Sequence, residues 1–447
     1  MKRLGSDYIG QQHASIRQVA LASFIGTAIE FYDFYVYGTA AALVFPRLFF
    51  PQFSPLAGTL ASFATFGVAF FARPVGGVVF GHFGDRIGRK SMLVITLLLM
   101  GGATVLVGLL PTFGRVGVLA PILLAVLRFL QGFAVGGEWG GATLMTVEHA
   151  PAKSLNFYAS WPQTGAPAGL ILSTAVFSSV SSLPDQQFFA WGWRVPFLLS
   201  VVLIAVGLFI RLRILESPAF SQVKELGTES RLPVWEVLRD YRRAAILSIG
   251  LVLIISGGYF IVTTFTLSYI TGHLGVARNV ALIGLLIAGT GQMAGILIFA
   301  WVADRVGKRP IAIWSATCIF LLSYPFFWLV DTRQPALIWL AMSTWTLAEG
   351  ALYGITGVFL AELFPVRLRY SGISLGYQVA GLLGGGFAPI VATALVRWSG
   401  GASWPVATYL AVTALTSLVA VCLASDRYRV EIHDTRPMER RLAGERR

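Results

Sequence analysis

Gly81-His-Phe-Gly-Asp85-Arg86-Ile-Gly88-Arg89-Lys90 and Ala300-Trp-Val-Ala-Asp304-Arg305-Val-Gly307-Lys308-Arg309 are two copies of one charged stretch. Asp85 and Asp304 stand 219 positions apart in a chain of 447 residues, about half its length. Each copy lies between two long apolar runs. A second echo, Glu148-His-Ala-Pro151 and Glu362-Leu-Phe-Pro365, repeats at a separation of 214. Two motif pairs at nearly one offset mark an internal duplication. Duplicated apolar bundles with one charged loop per half are the pattern of solute carriers.

Composition sets the solvent. Apolar residues make up 56% of the chain and charged residues 12%, with a mean hydropathy of +0.72. A soluble domain carries roughly twice that share of charge. Apolar runs lie near 18–44, 56–80, 91–111, 119–142, 156–180, 194–212, 244–272, 279–302, 310–330, 335–360, 371–396 and 404–424, each near the length that crosses a bilayer. The expectation is an all-α membrane protein of twelve transmembrane helices in two pseudo-symmetric six-helix bundles. Residues 1–212 form the first bundle and 244–447 the second with its short tail. The charged stretch 213–243, with Pro218 and Pro233, is the linker. The first apolar run is too long for a cleavable signal and is expected to stay as span one.

Twelve spans put both termini on one side. Of the 34 Lys and Arg residues, 26 fall on the termini and the loops of that side. Arg47, Arg115, Arg194, Arg278, Arg333 and Arg397 lie opposite, and Arg73 and Arg128 lie inside spans. This bias places both termini in the cytoplasm. It also explains the net charge of +13 without nucleic acid, because the basic residues are scattered over short loops. Cys318 and Cys422 both fall within spans, so no disulfide framework or metal-ligand spacing is present. His82, His149 and His273 lie near loops and are read as structural or solvated.

Ionisable groups inside hydrocarbon are costly and face a cavity or each other. Glu30 and Asp33 in span one, Arg73 in span two, Arg128 and Glu138 in span four and Glu349 in span ten meet that description. Glu30 and Asp33 are three residues apart, on one helix face and too deep to snorkel. A carboxylate that meets an arginine in one conformation and loses it in another takes and releases a proton in each cycle. Asp33 with Arg128 is the favoured pair for that switch, set against a static ion pair, with Glu30 beside it. Arg73 suits a substrate carboxylate by guanidinium geometry, or balances Glu30 and Asp33 as a counter-charge. Tyr32 and Tyr35, among the aromatic residues of span one, offer a wall with hydroxyls. Gln131, Glu138, Trp161, Gln163, Tyr259, Glu349, Tyr353, Tyr377 and Gln378 complete the candidate substrate contacts. The glycines of spans four and eleven suit close helix contact.

The charged loops have their own expected role. Asp85 can cap the end of a neighbouring span and pair with basic residues across the halves, latching the cytoplasmic face. Arg86, Arg89, Asp304, Arg305, Glu148 and Glu362 belong to the same gating set.

At these residues a family resemblance enters. Gly81–Lys90 and Arg128-Phe-Leu-Gln131-Gly132 resemble signatures of the major facilitator superfamily. Gly26-Thr-Ala-Ile-Glu30-Phe-Tyr-Asp33-Phe, Arg73-Pro-Val-Gly-Gly, Gln131-Gly-Phe-Ala-Val-Gly-Gly-Glu138-Trp-Gly-Gly, Gly192-Trp-Arg194-Val-Pro-Phe and Glu216-Ser-Pro-Ala-Phe220 resemble its metabolite:proton symporter family. The resemblance runs from about residue 18 to 424. It implies proton-coupled uptake of a small metabolite by alternating access, in a bacterial inner membrane. Family substrates include proline and betaines, dicarboxylates, citrate and shikimate. Asp33 and Arg128 would serve proton coupling, and Glu30, Arg73 and Glu138 would line or gate the cavity. Two departures stand out: Ala300 replaces the leading glycine of the second loop, and the tail shows no sustained heptad.

Two functions remain in view: symport of a small carboxylate or zwitterion with protons, and proton-coupled antiport or export. Gly165-Ala-Pro167-Ala-Gly169 only partly matches the glycine-proline motif of drug antiporters, which favours import. The chain shows no nucleotide loop, metal cluster or nucleophile constellation, so neither an enzyme nor an ATP-driven pump is expected. No cofactor is implied. The partners expected are the solute, protons and the lipid bilayer, with the monomer as the working unit.

Overall fold

The computed structural model describes residues 16–87, 89–136, 138–213, 233–365 and 368–424, and every element among them is helical. Eight helical segments are long and apolar enough to cross a membrane. Val94–Leu109 and Leu119–Val135 are shorter apolar helices. Ile16–Leu43 and Pro335–Leu363 have the length to cross but carry the intramembrane carboxylates Glu30, Asp33 and Glu349. Together these are the twelve spans that the apolar runs predict.

The two halves repeat their helix pairings. Span two, Pro55–Ile87, packs on span four, Leu119–Val135, as span eight, Arg278–Val306, packs on span ten, Pro335–Leu363. Span three, Arg89–Leu109, lies between spans four and six, as span nine, Lys308–Asp331, lies between spans ten and twelve. Glycine makes the two-to-four and eight-to-ten contacts possible. A Cβ on Gly132 would lie 2.1 Å from the carbonyl oxygen of Ala69, and one on Gly136 would lie 2.0 Å from that of Arg73. In the second half, a Cβ on Gly295 would lie 2.2 Å from the Leu347 carbonyl and one on Gly350 would lie 2.4 Å from that of Gln292. Lipid gives no hydrophobic drive to helix association, so such backbone contact is what holds these pairs.

Spans seven and eleven depart from regular α-helix. Span seven, Arg242–His273, widens into π-turns at Ile261–Phe265 and Tyr269–His273. Span eleven does so at Gly381–Gly386, between Arg369–Ala380 and Ala388–Trp398. Gly257 and Gly384 put the two backbones in contact there. π-turns inside helices cluster at functional sites, and those at Ile261–Phe265 and Gly381–Gly386 adjoin the central cavity residues Tyr259, Phe260 and Gly381.

Gly136→Ala should force spans two and four apart, at a cost of about 1–3 kcal/mol. Gly102→Ala, where a Cβ meets nothing within 4 Å, should be neutral. Thermal unfolding of the purified proteins in detergent checks this; equal melting temperatures would remove the close contact as a determinant of stability.

Candidate functional site

Two adjoining cavities occupy the middle of the bundle. The first lies within the first half, lined by Glu30, Asp33, Phe34, Arg73, Arg128 and Gln131 among others. Asp33 is 2% exposed, and its Oδ1 accepts a 2.6 Å hydrogen bond from Ser200. Arg128 is 1% exposed. Its guanidinium lies 4.4, 4.1 and 4.8 Å from the ring centroids of Phe34, Tyr37 and Phe66, a cation–π cage. Its Nη1 donates to Gln131 Oε1 at 3.2 Å, while Gln131 Nε2 donates to Thr104 at 2.7 Å. No hydrogen bond or ion pair joins Asp33 to Arg128, and Arg128 Nη2 lacks a partner. The structure thus holds this pair apart within one cavity. Phe34 also faces Arg73, whose guanidinium lies 4.8 Å from its ring and 4.7 Å from that of Phe70.

The second cavity is central and shared between the halves. Phe31, Tyr35, Phe70, Arg73 and Ala166 line it from the first half. Ser256, Tyr259, Phe260, Gln292, Glu349, Tyr353 and Tyr377 line it from the second. Every one of these residues is buried. Glu349 is fully buried; its Oε2 accepts a 2.8 Å hydrogen bond from Gln292 Nε2. Glu349 Oε1, Gln292 Oε1 and Arg73 Nε are buried without partners. An unpartnered buried polar atom costs about 1–3 kcal/mol, so three around one cavity mark a place built for a polar solute. Arg73 lines both cavities and joins the carboxylates of span one to the central chamber.

On the side that bears the charged loops, the chamber is shut by Trp139 stacked on Tyr377. The ring centroids lie 3.7 Å apart with planes tilted by 11°. Beside them Gln378 Nε2 donates to the Gly136 carbonyl at 3.0 Å. Both contacts cross between the halves. Nearer the surface, Asp304 accepts from the backbone N–H groups of Asn156 at 2.8 Å and Phe157 at 3.1 Å, and from the Asn156 amide at 3.0 Å. A carboxylate of the second half thereby satisfies free N–H groups at the start of Leu155–Ala159 in the first. Lys308 and Glu362 pair within the second half, and Arg305 lies over Trp301 at its surface. On the opposite face Arg278 bridges to Asp185 at 3.1 Å.

Other expected contacts fall elsewhere. Tyr32 lies on the face of span one turned towards span six, about 100° round from Phe31, and its hydroxyl donates to the Pro196 carbonyl at 2.7 Å. Trp161, Gln163 and Gln378 line neither cavity. Gln163 instead packs against Gly357 of span ten with both amide atoms unpartnered. The side chains of Asp85, Arg86, Arg89, Glu138 and Glu148 lie outside the described residues. Sequence reasoning missed Ser200, Trp139 as a closure and Gln292. The last had a signal: Arg73 plus the loop offset of 219 gives position 292, and the glycines packed on their carbonyls, Gly136 and Gly350, confirm the equivalence.

Two helical bundles around a buried, charge-lined chamber define a multi-pass membrane transporter, not an enzyme. The chain belongs to the Major Facilitator Superfamily, whose family model matches residues 23–389. It is 45% identical to the shikimate transporter of Escherichia coli (strain K12), over 92% of this chain and 95% of that one. It is 41% identical to the inner membrane metabolite transport protein YhjE of the same organism, over 92% and 94%. A crystal structure of a D-xylose–proton symporter shares the fold at a TM-score of 0.70, with 19% identity over 94% of this chain and 99% of that one.

Trp139→Ala should open the chamber towards the charged-loop face, because the stacked closure is lost. In a Cys318→Ser, Cys422→Ser background, Ser256→Cys reports access to the chamber. Its labelling by a membrane-impermeant thiol reagent from that face should rise about tenfold, a stack being worth about 1 kcal/mol or more. Tyr377→Phe keeps the ring and should leave the rate unchanged. An unaltered rate in Trp139→Ala would mean that the stack is not the closure.

Proposed function

We propose that this chain imports a small hydroxylated organic carboxylate together with protons, with shikimate as the first candidate. The observation that carries the reading is the position of Arg73 in both cavities. One guanidinium faces the span-one carboxylates and the chamber where a solute is held. A substrate carboxylate on Arg73 therefore changes the field felt by Glu30 and Asp33. The 45% identity to a shikimate transporter supports the substrate class.

Asp33, with Glu30 beside it, carries the proton. Protonated, it rests beside Arg128 without pairing; on losing the proton it becomes the anion that Arg128 seeks. Arg128 lies in span four, and Trp139 lies eleven residues further along the same stretch. A shift of Arg128 towards Asp33 therefore pulls on the Trp139–Tyr377 closure. Glu349, Tyr35, Tyr259, Tyr353 and Tyr377 contact the solute. Asp304, with Asp85, Arg86, Arg89, Arg305, Glu138, Glu148 and Glu362, latches or gates the charged-loop face, which we assign to the cytoplasm together with both termini. The bundles 1–212 and 244–447 rock about the chamber, tethered by 213–243, within a monomer in the bacterial inner membrane.

Purified protein in liposomes with an imposed pH gradient, acid outside, should accumulate shikimate above equilibrium. Asp33→Asn should abolish accumulation while leaving solute exchange in the absence of a gradient. Accumulation undiminished in Asp33→Asn would remove it from coupling, and proton movement opposite to the solute would identify an exchanger. Arg73→Lys should weaken apparent affinity for the carboxylate about tenfold or more, since a planar fork becomes a point charge. Unchanged affinity would leave Arg73 a structural counter-charge.

A further inference from the structure

The second half presents a different chemistry to the chamber from the first. At the position that the repeat gives to Arg73, span eight carries Gln292. Gly350 draws span ten onto the Gln292 carbonyl, and that contact sets Glu349 against the Gln292 side chain. The amide nitrogen of Gln292 donates to Glu349 Oε2, so the amide oxygen of Gln292 is left over. Gln292 Oε1 and Glu349 Oε1 are both buried without a partner, on residues that line the chamber. The result is two neighbouring acceptors facing a solute whose carboxylate is drawn to the arginine of the other half.

We propose that Gln292 and Glu349 form a hydroxyl-reading subsite that selects carboxylates bearing two adjacent O–H groups and rejects solutes without hydrogen-bond donors. Resting on the carboxylate-import reading above, the subsite supplies its selectivity. A vicinal diol donates one hydrogen bond to each acceptor. A betaine carries a carboxylate but no N–H or O–H donor, and leaves both acceptors desolvated and unpaired. Sites built around a substrate hydroxyl discriminate strongly against analogues that lack it, because their own polar groups are then stranded. Gln292 is a specificity determinant by direct contact and also the group that orients Glu349.

The test is competition for binding to the purified wild-type protein, with shikimate, its analogues lacking one ring hydroxyl of an adjacent pair, and glycine betaine as probes. Wild type should bind shikimate about tenfold or more tightly than at least one single-deoxy analogue, and betaine should compete weakly or not at all. Gln292→Met, which keeps length and volume but has no amide, should reduce the ratio between shikimate and that analogue to within about threefold. It should do so by weakening shikimate, with the analogue's affinity held within about threefold. A wild-type protein that binds every deoxy analogue as well as shikimate overturns the subsite without need of any variant. So does a Gln292→Met variant that keeps the full ratio, or one that weakens both ligands equally. The import reading fails separately, by absence of pH-driven carboxylate accumulation in wild-type liposomes.

Discussion

Spans two and four touch backbone to backbone, and the site depends on that contact. Gly132 and Gly136 rest against the carbonyls of Ala69 and Arg73 at distances that admit no side chain. Arg73 and Arg128 are thereby brought to one aromatic ring, Phe34, deep among apolar side chains. Charge at that depth is tolerated only beside partners of opposite sign or a polarisable face. Here Phe34, Tyr37, Phe66 and Phe70 supply the polarisable faces, and Glu30 and Asp33 line the same cavity. The same device recurs where Gly295 and Gly350 join spans eight and ten, and there it serves Gln292 and Glu349. A duplicated packing motif thus carries two different sets of polar groups to one chamber.

Rigid pairs of this kind move as units. Between the halves, span eight packs closely on span five, where a Cβ on Gly289 would lie 2.7 Å from Ile171, and Arg278 bridges to Asp185 on one face, whereas the charged-loop face is closed by a stacked Trp139 and Tyr377, one amide on a carbonyl, and a carboxylate on free N–H groups. Each contact on the charged-loop face is directional and worth only about 1–3 kcal/mol. The directional contacts of the charged-loop face can thus break without disturbing the glycine-packed pairs within each half. Span four spans both functions, carrying Arg128 at the carboxylate cavity and leading to Trp139 at the closure.

Much of this was legible in the chain. Period, length and basic-residue bias marked the spans, because a bilayer imposes one length and one polarity on every crossing. The cost of charge in hydrocarbon singled out Glu30, Asp33, Arg73, Arg128, Glu138 and Glu349, and the structure brings the first four together in one cavity. Less legible were neutral polar residues. Gln292, Ser200 and Trp139 are unremarkable in composition, and nothing in a hydropathy profile separates Gln292 from Gln163, which packs elsewhere. Tyr32 shows the converse: it sits in the most suggestive stretch of the chain, yet a rotation of about 100° per residue turns it to span six.

The sequence by itself determined the number of crossings, the duplication and the identity of the buried charges, because those follow from transfer energies that act residue by residue. Only the tertiary structure decided which charges share a cavity, that Asp33 and Arg128 stand unpaired in this conformation, and that Gln292 faces Glu349. Those outcomes rest on helix rotation and on close backbone approach at particular glycines. Both are set by packing between segments far apart in the chain, which no single segment encodes.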